Sequence, residues 1–191
     1  MPGKTTSEQI VETADRLFYE KGYEHTSFAD IAAEVGISRG NFYHHFKTKD
    51  AILDAVIALR MTNTRAMLEQ WEQDGQTPED RIRCFIRILI TNQTKIMDYG
   101  CPVGTLVSEL AKLNHAALAD ANRLFTLFRD WLSLQFKALG REEDAEELAM
   151  HLLARSQGVA TLANAFHDET FIRAEVDALS MWLHERAREA A

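Results

Sequence analysis

Proline is nearly missing from this chain, with three in 191 residues, and glycine is held to nine. A chain so poor in helix breakers, and rich in Ala, Leu, Glu and Arg, is expected to be all-α. Cysteine is equally scarce. Cys84 and Cys101 cannot build a disulfide framework, which fits a reducing compartment, and a cytoplasmic location is expected. No apolar run approaches the roughly 18–20 residues of a membrane span. The opening MPGKTTSEQ has no apolar core of the kind found in a secretory leader. No membrane partner is expected. Positive charge is also in short supply, with 21 Lys and Arg against 29 Asp and Glu and a net charge of −8. Nucleic-acid proteins are usually basic, so charge must be weighed locally. Residues 36–49 contain Arg39, Lys47, Lys49 and two histidines but no acid, while acids gather in REEDAEE at 141–147. A small positive face on an acidic body can still act at contact range, within a Debye length of ~8–10 Å. What the chain does have is a hydrophobic content of 46%, enough for a real core.

Periodicity and caps order that material into helices. Thr5 and Glu8 have capping-box spacing, and Ile10, Ala14, Leu17 and Phe18 repeat on one face up to Gly22. Ser27 and Asp30 open a second, short helix that Gly36 ends, and Ser38 caps a third through about His45. Thr48 caps a fourth that runs towards Trp71 with Ile52, Val56 and Leu59 inward. Gly75 and Pro78 mark the clearest turn. Further helices are expected over 79–97, 103–113, 118–139, 142–166 and 170–188, making nine. A domain of residues 1–50 is expected to carry the helix-turn-helix. A second, of residues 51–191, would hold the larger bundle, with the helix over 48–71 as connector.

The stretch SRGNFYHHF sits in the middle of the short helices and is too polar to be their core. Ala32 is small where two helices cross, Gly36 permits the turn, and Ile37 with Phe42 packs the second member on the first. Arg39, Asn41, Tyr43 and His44 then point outward, and Gly40 allows a close backbone approach to a surface such as a DNA major groove. Arg39 can present a fork to guanine, Asn41 can read adenine or hold a phosphate, and Tyr43 can reach a phosphate oxygen. Lys47 and Lys49, at the start of the fourth helix, suit another phosphate.

These residues have a familiar arrangement. TSFADIAAEVGISRGNFYHHFKTKDAIL resembles the DNA-binding domain of the tetracycline-repressor (TetR) family of bacterial transcriptional regulators, over about residues 7–55. Gly22, Thr26, Ile31, Ala32, Gly36, Ser38, Gly40, Tyr43, Phe46 and Lys49 fall where the family's pattern expects them. The resemblance implies a nine-helix, two-domain fold, homodimerisation through the last two long helices, and an effector pocket in the larger domain. It also implies phosphate contacts at Thr26, Ser27, Tyr43 and Lys49, and base-facing roles for Arg39, Gly40, Asn41 and His44. GCPVGTLVSEL looks like a segment from one branch of the family and names no ligand.

In the larger domain, Phe85, Leu89, Asn92, Gln93 and Met97 are candidates to line a cavity with Phe128, Trp131, Gln157 and Thr161, set against an ordinary core with satisfied amides. Leu148, Leu152, Val159, Leu162, Leu179 and Trp182 supply apolar surface for a dimer, and Gly158 allows close helix approach. Cys101, just ahead of Pro102, is a candidate redox or electrophile sensor, against the plainer account of a small packing residue. Enzymatic readings fare badly. Glu147 and His151 lack the partner carboxylates of a di-iron bundle, and Asp168 in HDE reads as a helix cap. No phosphate loop or nucleophile elbow is present. The expectation is a ligand-responsive DNA-binding regulator without cofactor or metal, most simply a repressor. A small apolar or aromatic effector would release it from a near-palindromic double-stranded operator. A helical adaptor without DNA binding and a thiol-sensing regulator are the alternatives.

Overall fold

A computed structural model describes residues 4–189, so the first three residues of the opening stretch and the last two of the chain lie outside it. The helices are α1 (Thr6–Lys21), α2 (Phe28–Val35), α3 (Arg39–His45), α4 (Lys49–Asp74), α5 (Pro78–Thr91), α6 (Gln93–Tyr99), α7 (Pro102–Lys112), α8 (Leu118–Ala138), α9 (Ala145–Phe166) and α10 (Glu169–Glu189). The segment expected as one helix over 79–97 is interrupted at Asn92 (φ −106°, ψ 14°), which separates α5 from α6. Counted as one broken helix, the pair gives the nine of the expected fold. The expected start of α9 at 142 moves to Ala145, because Asp144 is occupied in an ion pair with Arg141.

The caps follow from side-chain chemistry. Thr5 with Glu8, Ser27 with Asp30 and Thr77 with Asp80 each form a complete capping box. The backbone N–H of Thr5, then its hydroxyl, holds Glu8 below its usual range, and the hydroxyls of Ser27 and Thr77 foremost do so for Asp30 and Asp80. Gly36 ends α2 in the left-handed region (φ 75°), where a β-carbon would be strained. Asp168 accepts from the amides of Thr170 and Phe171 and so opens α10.

The chain divides into two compact units. One runs through Asn63 and includes Thr105–Arg123; the other comprises Thr64–Gly104 and the chain from Leu124 onward. This differs from the expected division near residue 50, since a segment of α7 and α8 belongs with the N-terminal helices. The reason lies in polar bonds distant in sequence. The Glu109 carboxylate accepts the backbone N–H groups of Tyr23 (2.8 Å) and Glu24 (2.9 Å). Tyr23, buried at 6% exposure, donates its hydroxyl to Asp50 (2.7 Å), and His115 Nε2 lies 3.3 Å from the same oxygen. His115 Nδ1 accepts from the Ala117 N–H at 3.1 Å, which assigns the neutral ring's proton to Nε2. Burial and the bond to Asp50 push the Tyr23 phenol up. Arg60 closes α4 onto α1 through Asp15 at 2.5 Å.

The second unit is a packed helical body. Ile82, Phe85, Ile86 and Leu89 of α5 share one core with Leu132 and Phe136 of α8, Leu152 and Ala163 of α9, and Ile172, Leu179 and Leu183 of α10. An aromatic chain runs beside it: Trp131 to Trp71 at 5.7 Å, Trp71 to Phe85 at 6.5 Å, and Phe85 to Phe128 at 5.7 Å. The Trp131 indole N–H donates to Glu72 at 2.8 Å.

Replacing Glu109 with Ala removes the acceptor of two amides, one of them part-buried. Glu109→Ala is expected to cost about 1–3 kcal/mol of stability, read as a lower urea midpoint at an unchanged slope.

Candidate nucleic-acid interface and cavity

The surface of the first unit is built on α2 and α3. Phe42 is buried at 1% exposure and meets Phe28 at 5.0 Å between ring centroids, fixing the rotation of α3 on α2. With Phe42 turned in, the remaining positions of this seven-residue helix must turn out. Arg39, Gly40, Asn41, Tyr43 and His44 are all exposed, as are Ser27 and Lys47. Ser27, Arg39 and Tyr43 border one groove, floored by Phe28, Ala32 and Phe42.

Three of the expected phosphate contacts need qualification. Thr26 is buried at 1% exposure, and its hydroxyl donates to the carbonyl oxygens of Gly22 (2.7 Å) and Leu17 (3.3 Å). It therefore ties the end of α1 to the turn and is corrected from a contact to a positioning residue. Lys49 is half-buried, with its ammonium 4.3 Å above the Tyr23 ring and donating to the Glu24 carbonyl (3.1 Å). Burial pulls its pKa down. Lys47 bonds the Tyr43 carbonyl at 2.5 Å.

In the second unit a cavity of about 90 Å3 opens among α5, α6, α7, α8 and α9. Five expected residues line it: Phe85, Leu89, Asn92, Phe128 and Gln157. Four do not. Trp131 is occupied with Trp71 and Glu72, one ring removed from the wall. Met97 packs into the core, and its carbonyl accepts from Asn164. Thr161 is exposed and its hydroxyl donates to the Gln157 carbonyl. Gln93 follows the break at Asn92, which rotates it off the line that a continuous helix would have given it. The wall also includes Ile88, Ile96, Cys101, Pro102, Val103, Phe125, Leu153, Ser156 and Ala160, which the sequence reading missed as a ligand-facing set. Their apolar side chains carry no mark distinguishing a cavity wall from a core. Ser156 is buried and donates to the Leu153 carbonyl at 2.7 Å, so its hydroxyl is already used. Cys101 is part of this wall, and its sulfur accepts the Gly104 N–H at 3.4 Å, capping α7.

The expected dimer residues separate into two groups. Leu148, Leu152, Val159 and Leu179 are buried within the second unit, so they are corrected to core residues. Helix α9 is covered on more than one side, and its leucines serve α8 and α10 first. Trp182 is half-buried, stacked on His151 at 4.9 Å. Leu162 remains 44% exposed, and Met150 at 53%, Met181 at 65% and Phe166 at 71% are still more exposed on the same two helices. Gly158 is exposed with open space where a β-carbon would stand.

Known proteins share these features. Residues 10–56 match the bacterial regulatory proteins of the tetR family, and residues 78–177, more than half of the chain, match the C-terminal domain of LmrA/YxaF-like transcriptional regulators. An HTH-type transcriptional regulator in the lacX 3' region of Lactococcus lactis subsp. lactis is 27% identical over 180 residues, covering 92% of each chain. The HTH-type transcriptional regulator TtgR of Pseudomonas putida is 27% identical over 164 residues, covering 81% of this chain and 78% of that protein. A TetR transcriptional regulator from Legionella pneumophila has the same fold, with a TM-score of 0.84 at 24% identity over 95% of this chain and 98% of its own. The exposed face of α3, the separate helical body and both family matches agree: the chain belongs to the tetR family of bacterial transcriptional regulators.

Proposed function

We propose that this regulator is a homodimeric repressor that reads a near-palindromic duplex through α3 and leaves it when a small molecule fills the cavity of the second unit. The observation that carries the reading is the face of α3. Five outward residues with donor or acceptor groups, or bare backbone, lie in a stretch of 36–49 that has no acid. Among the described residues nothing calls for glycine at position 40, where a β-carbon would meet only Ser38 Oγ at 4.0 Å. A backbone left bare on an exposed helix suits close approach to a base edge. Ser27, Tyr43 and Lys47 border that face and suit phosphates, while Lys49 sits lower, as a brace for Tyr23.

Two copies related by a twofold axis would present two such helices to successive major grooves, which calls for a near-palindromic site. Met150, Leu162, Phe166 and Met181, with Gly158, are exposed on α9 and α10 and suit that contact. Release requires only that the effector bind the DNA-competent arrangement less well. A coupling of ~1–3 kcal/mol would lower operator affinity roughly 5- to 150-fold. Thiol sensing has one observation on its side, the place of Cys101 in the cavity wall. Against it, no Lys, Arg or His lines the same wall to favour a thiolate.

Selection of binding sites from random duplex DNA should yield an inverted repeat. Arg39→Ala should weaken that site by about 1–3 kcal/mol and relax one base pair in each half. An unchanged affinity and preference would overturn α3 as the reading helix. In sedimentation velocity the parent should run as a dimer at micromolar concentration. Phe166→Glu should shift it towards monomer while the helical circular dichroism is retained; a monomeric parent that still binds one half-site would end the dimer reading.

A further inference from the structure

The cavity wall has a composition that restricts its occupant. Aromatic rings of Phe85, Phe125 and Phe128 and aliphatic groups make up most of it, and among the described residues no Asp, Glu, Lys, Arg or His contributes. An ion entering such a site would lose its hydration and find no opposite charge, a heavy cost. The size is restrictive as well. A cavity of about 90 Å3 suits a single ring, below the ~300–1,000 Å3 of pockets for drug-sized ligands.

Polar groups on the wall are few and unequal. Ser156 and Cys101 are engaged with the protein's own backbone. Asn92 is exposed at the rim. Gln157 differs: it lines the cavity half-buried, no hydrogen bond of its carboxamide is found among the described residues, and its polar atoms stay accessible. A carboxamide has donors and acceptors to offer, and one that no protein group already uses is available to a molecule that enters the cavity. Its placement is also defined. A β-carbon on Gly104 would lie 2.5 Å from Gln157 Oε1, closer than non-bonded atoms allow. Gly104 is an ordinary helical position of α7 with no need for left-handed backbone, so its lack of a side chain serves the space occupied by Gln157.

We propose that this cavity selects an uncharged, single-ring molecule bearing a neutral hydrogen-bonding group, and that Gln157, given its place by Gly104, is the residue that reads that group. The inference rests on the reading of the cavity as an effector site. The ring occupies the space among the phenylalanines, and a hydroxyl, carbonyl or amide on it pairs with the carboxamide. Gly104 acts as a positioning residue.

The test uses the full chain and four probes of similar shape: benzamide, toluene, benzoate and benzylamine, the last two charged at neutral pH. Tryptophan emission reports binding, because Trp71 adjoins the wall residue Phe85, and calorimetry confirms it. Benzamide should bind most tightly, toluene several-fold more weakly, and each ion at least tenfold more weakly than benzamide. In Gln157→Leu, benzamide should fall to the affinity of toluene while toluene itself stays within about twofold. In Gly104→Ala, benzamide should weaken although the melting temperature holds or rises, an outcome that a purely structural glycine would not give. An ion binding as well as benzamide, or an unchanged benzamide-to-toluene ratio in Gln157→Leu, overturns the inference and leaves the effector reading intact. Failure of all four probes to bind at millimolar concentration would remove the cavity as an effector site, and the inference with it.

Discussion

The placement of α2 and α3 depends on a carboxylate 86 residues from the turn it holds. Glu109 takes up the amides of Tyr23 and Glu24, in the turn that leads from α1 into α2. Backbone donors in such a turn have no helix to satisfy them and must find an acceptor or face water. Once they are fixed, Tyr23 can reach Asp50 at the head of α4 and receive Lys49 over its ring. Thr26 then fastens the end of α1 from below. The short α2 and α3 bury little by themselves, mainly Ile31, Ala32 and Phe42, and so lean on this polar frame. A fragment ending at Asn63 would contain every residue of α3 yet lack Glu109 and His115. The head is accordingly not a module that can be cut out at the end of its last helix.

The second unit obeys a different constraint. Its helices are held by apolar packing, so the groups that stand out are the ones that packing does not explain. Phe166 and Met181 are apolar and uncovered, whereas Gln157 is polar and beside an apolar space. Exposed apolar side chains such as these are retained mainly where a surface covers them, whereas the Gln157 carboxamide is simply left open to whatever enters the cavity. The two differ in chemistry, one an apolar surface and the other a hydrogen-bonding group beside an apolar space.

Local rules were well expressed in the sequence. Thr5 with Glu8, Ser27 with Asp30, Gly36, Ser38 and Pro78 all mark helix ends where the structure has them, because capping is decided within four residues. The outward set on α3 was legible for the same reason, since one buried Phe42 fixes the whole helix. Thr26 was not, because its burial depends on how α1 meets the turn. Glu109 and His115 had no signal at all, as their partners lie 85 to 92 residues away. The leucines of α9 misled in the opposite direction: a helix with apolar residues on several sides does not say which side faces its own subunit. Asn92 alone gave no warning that a helix would break there and carry Gln93 and Met97 off the cavity wall.

The uncharged wall of the cavity also bears on what can reach it. Desolvation sorts molecules in the same way at a cavity lined by phenylalanine and leucine as at the hydrocarbon interior of a bilayer. A compound that such a wall accepts is therefore one that crosses a lipid barrier without a carrier. If the cavity is the effector site proposed above, the regulator would register what diffuses through an envelope unaided, and its response would follow external exposure without waiting on any transport protein.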